Sequence, residues 1–186
     1  MSIPKEIKRI ADVFQEKGFE AYAVGGCVRD LLLGKKPKDW DIATNALPEQ
    51  IQEIFPESFY ENKYGTVGVK TDSADEALKI VEVTTYRVDE KYSDKRHPDE
   101  VRFTGNLRED LARRDFTINA MALRPDSGRP GVKHNFEIFD PFSGQEDLKN
   151  GIIRAVGDPR ERFNEDALRM MRAVRVAVQL DVKLVT

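Results

Sequence analysis

The sequence predicts an α+β domain over residues 1–156, followed at 157–186 by the start of an all-helical region. Two observations carry that reading. Short strand-like stretches such as "EAYAV", "WDIAT" and "IVEVTT" are interleaved with amphipathic helical stretches up to about residue 156. From "DPRE" onward only helical periodicity remains, with Phe163, Ala167, Met171, Val174 and Val178 on one face. No repeat or low-complexity segment interrupts either part.

Residues 4–17 read as a helix because Ile7, Ile10, Ala11 and Phe14 recur at helical spacing, and Gly18 stands where a cap is expected. Residues 20–24 form a strand that runs at once into Gly25-Gly26. "CVRDLLLG" is a short helix ending at Gly34, "WDIAT" the next strand, and "LPEQIQEIF" a helix with Pro48 near its first position. "GTVGVK" (65–70) and "LKIVEVTTY" (78–86) are expected as a hairpin across the polar loop "TDSADEA". Residues 87–100 are almost wholly polar and read as a long surface loop. "LREDLARRDFTINAMAL" (107–123) reads mainly as a helix, "PDSGRPG" as a turn, "NFEIFDPF" as strand and turn, and "GIIRAVGD" as a short strand. The terminal helix opens with Asp158 as cap, Pro159 at its first position and Glu161 completing a capping box.

Composition narrows the function classes. The 186 residues are 40% apolar and 34% charged, which fits a soluble globular chain long enough to bury a core. No apolar run approaches a membrane span and the N-terminus has no signal-peptide core, so no membrane partner is expected. The single cysteine, Cys27, excludes an intrachain disulfide framework and fits a reducing, cytoplasmic compartment. His97 and His134 do not make a zinc site with it. A net charge of −3 argues against bulk electrostatic coating of nucleic acid. Local basic groups remain: Lys35, Lys36 and Lys38; Arg113 and Arg114; and Arg169, Arg172 and Arg175 at every third position.

Two constellations point to chemistry. Gly25-Gly26 sits between a strand and a helix, where backbone can approach a phosphate closely, and Arg29 adds donors one turn on. Taken alone, such a glycine pair also fits a purely structural turn. Asp39 and Asp41 follow on the next strand, where i and i+2 share a face and Trp40 points away. Two like charges side by side need compensation. Mg²⁺ prefers carboxylates combined with substrate phosphates, so the unit suits metal-assisted phosphoryl transfer; a solvated turn is the alternative.

"AYAVGGCVRDLLLGKKPKDWDIATNALPEQI" resembles the first motif of the nucleotidyltransferase superfamily that includes DNA polymerase β. More closely it resembles the bacterial-type (class II) tRNA CCA-adding enzymes and the bacterial poly(A) polymerases. "EDLARRDFTINAMAL" and "ERFNEDALRMMRAVR" resemble two further motifs of that group, in the same order. The resemblance implies a polymerase-β-like head, a mixed sheet flanked by helices, and then the start of a helical neck. It implies that Asp39 and Asp41 are catalytic and hold Mg²⁺, that Glu82 is a candidate third carboxylate, and that Gly26 and Arg29 contact the nucleotide. It assigns Arg114 and Asp115 to the ribose of the incoming nucleotide. It assigns Asp166, Arg169, Arg172 and Arg175 to a protein template for C and A. An aspartate and an arginine three residues apart suit such a template. Cytosine and adenine each pair an amino donor with a ring acceptor, whereas the matching edges of uracil and guanine are reversed. The implied partners are CTP, ATP and the tRNA 3′ end. Relatives continue into helical neck, body and tail regions, so a further helical region is expected in the same or another chain. A-adding, CC-adding and poly(A) activities stay open, as does a nucleotide-binding head without independent turnover.

Overall fold

A computed structural model describes residues 2–62, 64–90, 92–96, 98–125 and 136–184. The expectations for His97 and His134, and most of that for the turn "PDSGRPG", lie outside the described residues. The chain runs α1 (Lys5–Glu16), β1 (Ala21–Val24), α2 (Gly26–Leu32), β2 (Asp41–Thr44), α3 (Pro48–Ile54), β3 (Ser58–Asn62) and β4 (Thr66–Lys70). It continues through α4 (Glu76–Lys79), β5 (Ile80–Thr85), β6 (Arg87–Glu90), β7 (Glu100–Phe103), α5 (Leu107–Ala112), a 3₁₀ turn (Thr117–Asn119), β8 (Ala122–Pro125) and β9 (Phe136–Phe139). It closes with α6 (Gly144–Lys149), β10 (Ile152–Ile153), α7 (Pro159–Glu165), α8 (Leu168–Leu180) and β11 (Lys183–Leu184).

Seven strands form one sheet in the order β3-β4-β5-β2-β1-β8-β9. The β2–β5 pair is parallel and the other neighbours antiparallel, so the sheet is mixed. Alternation gives each strand a core face. Ile42, Val67, Val69, Val81 and Val83 pack with Ile7, Ile10 and Phe14 of α1, all buried. Burying such side chains stabilises by roughly 1.5–3 kcal/mol each relative to exposure. Trp40 is buried while Asp39 stays exposed, as the alternation around them requires.

Several expectations are corrected. Strand β3, in "SFYEN", is absent from the sequence reading: its alternation is weak and it lies at the sheet edge. The polar stretch 87–100 is not all loop, since β6 and β7 pair as a separate two-stranded ribbon. The "TDSADEA" loop ends in the short helix α4, capped by the Asp75 carboxylate, which accepts from Ala77 N–H at 3.2 Å. The stretch 107–123 is helical only to Ala112. Beyond it the Asp115 carboxylate accepts from the adjacent Phe116 N–H at 2.8 Å, a local bond that competes with helix. Phe116 then bridges to Ala155, and β8 enters the sheet beside β1.

The terminal helix is also divided. Asp158 caps α7 as expected, accepting from Arg160 and Glu161 N–H. Asp166, at φ −139° and ψ 105°, then leaves helical geometry and starts a second helix by accepting from Leu168 N–H at 2.9 Å. Helix α8 docks on the head through Ala173 and Val176, which pack with Phe116, Ile118 and Ile153. The apolar stripe is largely exposed: Met171 is 67% exposed and Val178 77%.

Candidate nucleotidyl-transfer site

Strands β1 and β2, the α2 turn, the segment after α5 and the inner side of α8 enclose an open cleft of ≈ 870 Å³. Gly26, Arg29, Asp39, Asp41, Arg114, Asp115, Asp166, Arg169, Arg172 and Arg175 all line it. Glu82 lies just outside. Lys35, Lys36 and Lys38 line the same cleft, so this basic cluster belongs to the site rather than to a remote solvated face.

The glycine turn is demanded at Gly25 rather than Gly26. Gly25 has φ +79°, and a Cβ there would stand 3.2 Å from Arg114 Nη1 and 3.7 Å from Asp41 Oδ2. Glycine thus supplies a left-handed backbone and lets the Arg114 guanidinium and the Asp41 carboxylate close over it. Arg29 is steered by two acceptors: Nη1 donates to Asn119 Oδ1 at 2.8 Å, and Nε and Nη2 donate to Asp30.

Asp41 opens β2, with Asp39 just before the strand rather than on it. The parallel register sets Glu82 of β5 directly beside Asp41. Burial, opposed by Arg114 and reinforced by Asp39 and Glu61, pushes the Asp41 carboxyl up to about 6. Burial and then Asp41, Glu61 and Asp39 push Glu82 up to about 7. The acidic group suggested by the spacing of two aspartates thus extends through the strand register to Glu82. Among the described residues no three His, Cys, Asp or Glu side chains already stand in metal-holding geometry. The donor set nonetheless suits Mg²⁺, which takes one or two carboxylates and completes its shell with substrate phosphates and water.

Arg114 is anchored from behind. Its Nη2 donates to Asp110 Oδ2 at 3.0 Å, while Nε is buried without a hydrogen-bond partner. Asp110 is fully buried and also accepts from Arg113 Nε and Nη2 and from the Arg87 N–H. Asp115 is buried as well. It accepts from Phe116 N–H, from Asn119 Nδ2 and from the Arg172 guanidinium, the last at 2.7–2.8 Å. A ribose hydroxyl reaching Asp115 has to compete with Arg172.

Asp166 and Arg169 are not neighbours along one helix, because the break falls between α7 and α8 at Asp166. Asp166 caps α8. Arg169 donates to Glu165 Oε2, the Arg162 carbonyl and the Arg113 carbonyl. These bonds run through Nη1 and Nη2 and still leave guanidinium donors for a base edge, since the group carries five. Sequence reasoning missed Asp110, Asn119 and Glu165. The signal for each was present: Asp110 stands three and four residues before Arg113 and Arg114, Asn119 four after Asp115, and Glu165 four before Arg169, all of them helix-type pairing distances.

The sequence profile of the poly A polymerase head domain family matches residues 21–154. The chain belongs to that family. It is 51% identical to the CCA-adding enzyme of Enterococcus faecalis over 98% of its own length and 43% of that protein. It is 50% identical to the CCA-adding enzyme of Ligilactobacillus salivarius, with the same coverage of both chains. A crystal structure of the Bacillus stearothermophilus CCA-adding enzyme in complex with CTP matches with TM-score 0.81 at 41% identity, over 98% of this chain and 42% of that one. A tRNA nucleotidyltransferase complexed with a primer tRNA and an incoming ATP analog matches with TM-score 0.71 at 32% identity, over 95% of this chain and 46% of that one. The chain therefore spans less than half the length of these relatives. The family domain has the seven-stranded mixed sheet and flanking helices of a nucleotidyltransferase head.

Proposed function

We propose that this chain is the catalytic head, over 1–156, and the nucleotide-selecting start of the neck, over 157–186, of a Mg²⁺-dependent tRNA nucleotidyltransferase. The enzyme adds CCA to tRNA 3′ ends from CTP and ATP without a nucleic-acid template. The observation that carries this reading is a juxtaposition. The Asp41–Glu82 pair lies beside Arg114 over the Gly25 turn, and the charged side of α8 faces the same cleft. The relatives named as CCA-adding enzymes, and the neighbours solved with CTP and with primer tRNA, support the substrate class.

In the reaction the RNA 3′-hydroxyl oxygen forms a bond to the α-phosphorus of the nucleotide. The bond to the bridging oxygen breaks, pyrophosphate leaves, and the hydroxyl proton is released. Asp39 and Asp41, with Glu82 beside them, would hold Mg²⁺, which supplies charge neutralisation at the phosphates and acidifies the hydroxyl. The chain's own groups do the rest. The Gly26 turn and Arg29 bind phosphate, and Arg114 holds charge at the triphosphate from its Asp110 anchor. Asp115 accepts from the ribose hydroxyl as Arg172 yields, and Arg175 lines the same wall. Asp166 accepts from the amino group shared by C and A, and Arg169 donates to the adjacent acceptor. Wrong bases leave buried polar groups unpaired, which is why such pairs discriminate strongly.

The test is incubation with tRNA lacking CCA and each nucleotide in turn. Incorporation of C, C and then A, with U and G refused, is the expected result. Long A tails on unrelated RNA indicate a poly(A) polymerase instead, A added only to tRNA ending in CC an A-adding enzyme, and arrest after CC a CC-adding one. A second reading rests on the exposed apolar stripe of α8: the chain binds nucleotide but turns over poorly until a helical region covers Met171 and Val178. Reaction in the cytoplasm fits the reduced, buried Cys27, and no described helix is long and apolar enough to cross a membrane.

A further inference from the structure

The strand register lines up one row across the sheet: Phe59, Gly68, Glu82, Asp41, Val24, Ala122 and Phe139. The row has two unlike sides. On the β1 side of Asp41 stand the groups suited to a triphosphate, namely the Gly25 turn, Arg29 and Arg114. On the β5 side stand Glu82, then Gly68, then Phe59. A Cβ at Gly68 would lie 2.5 Å from Phe59 Cζ and 2.9–3.0 Å from both Cε atoms. The Phe59 ring therefore lies over the Gly68 backbone, in space that any side chain at 68 would occupy. It is 38% exposed. Two residues along, on the same face, Ile80 is 48% exposed opposite Lys70. This side of the sheet is an open ledge ending in an aromatic face.

Phosphoryl transfer proceeds with the attacking and leaving oxygens in line. If the pyrophosphate leaves on the Arg29 and Arg114 side, the hydroxyl arrives from the Glu82 side. The acceptor strand then crosses β5 and β4 toward β3. Neighbouring strands are about 4.8 Å apart, so the ring over Gly68 stands roughly 10 Å from Asp41, within one nucleotide's reach. We propose that Phe59, laid over Gly68, is the stacking platform for the 3′-terminal base of the acceptor RNA. This rests on the nucleotidyltransferase reading and adds to it the acceptor's path and its anchor. A bare aromatic face accepts any base, so the platform places the growing end without choosing among nucleotides; it serves an acceptor whose last base changes from one addition to the next.

The test uses a minihelix RNA with 2-aminopurine as its 3′-terminal nucleotide, Mg²⁺ and a non-hydrolysable CTP analogue. The wild-type chain should quench the 2-aminopurine on binding. Phe59→Ala should abolish the quench and weaken RNA binding roughly five- to hundredfold, with CTP affinity unchanged. Phe59→Tyr should retain both properties. Gly68→Val should behave like Phe59→Ala although Phe59 is present, because it displaces the ring. A quench that survives Phe59→Ala, or no quench with the wild-type chain, overturns the platform. A change in oligomeric state of Phe59→Ala without any effect on RNA assigns the ledge to protein contact and overturns it too. Loss of CTP binding by the wild-type chain would overturn the nucleotidyltransferase reading itself, which sets the two failures apart.

Discussion

Single side chains in this head divide into those held ready and those held apart. Asp41 belongs to the second group, because burial, Asp39 and Glu61 all disfavour its charge. Asp41→Ala should therefore abolish nucleotide incorporation while urea unfolding stays cooperative with an unchanged m-value, since a repelling charge is removed from the cleft rather than a core side chain. Activity that survives would exclude Asp41 as a metal ligand. Asp110 belongs to the first group. Burial alone would raise its carboxyl, but Arg113 and Arg114 outweigh burial and hold it below the ordinary carboxylate value. A lowered folded-state pKa means that the carboxylate stabilises the fold above its unfolded pKa, near 3.9, and loses that contribution as pH falls through the folded value. Asp110→Asn should cost about 3–5 kcal/mol, because two buried guanidinium groups lose their counter-charge. The gap between wild type and variant in urea midpoints should stay level from about pH 8 to 5 and narrow below about 4. A gap independent of pH through acid would show that Asp110 acts by packing alone.

At the scale of elements, the decisive feature is how α8 meets the head. Sequence periodicity separates its two faces; an apolar stripe ordinarily faces a core, and this one stays largely exposed. Here the charged face turns inward, since the head offers buried acceptors: Asp115 for Arg172 and the Arg113 carbonyl for Arg169. No periodicity rule anticipates an ion-paired interface whose partner lies 57 residues away in sequence. The same reason explains the 107–123 segment. Its helical pattern is real, but Asp115 and Phe116 serve α8 and the Ala155 bridge, and the chain turns there. Arg172→Ala should detach α8 selectively. Amide exchange should accelerate through Leu168–Leu180 while β1, β2 and β5 keep their protection, at a cost of about 1–3 kcal/mol for the lost charged hydrogen bonds. Equal acceleration in the sheet would show one cooperative unit instead. Arg169→Ala should relax selection of C and A over U and G more than it slows incorporation, read from competing nucleotides in one reaction. Unchanged selection would remove Arg169 from the template role.

Across the whole molecule, the parts legible in the sequence are those fixed by local chemistry. The glycine turn, the paired aspartates, the β4–β5 hairpin, the Asp158 cap and the valines flanking Glu82 all follow from neighbours a few residues away. What stayed hidden depends on register: that β2 and β5 run parallel, which sets the candidate third carboxylate Glu82 directly beside Asp41, and that Phe59 shares their row. The outward apolar stripe of α8 is the remaining property of the whole. If Met171 and Val178 contributed to this chain's own core, replacing both by Lys would cost several kcal/mol, as disruptive core changes do. Their exposure instead predicts a change within about 0.5 kcal/mol for each in urea unfolding of this chain, the range expected for surface positions. Nucleotide binding should be equally untouched, because neither residue lines the cleft. Should a helical region dock on this stripe to complete the enzyme, the same double variant would weaken its association through desolvation of two lysines, while leaving the head as stable as before. A large loss of stability in this chain alone would mean that α8 packs with its apolar face inward, and the charged cleft wall would have to be redrawn.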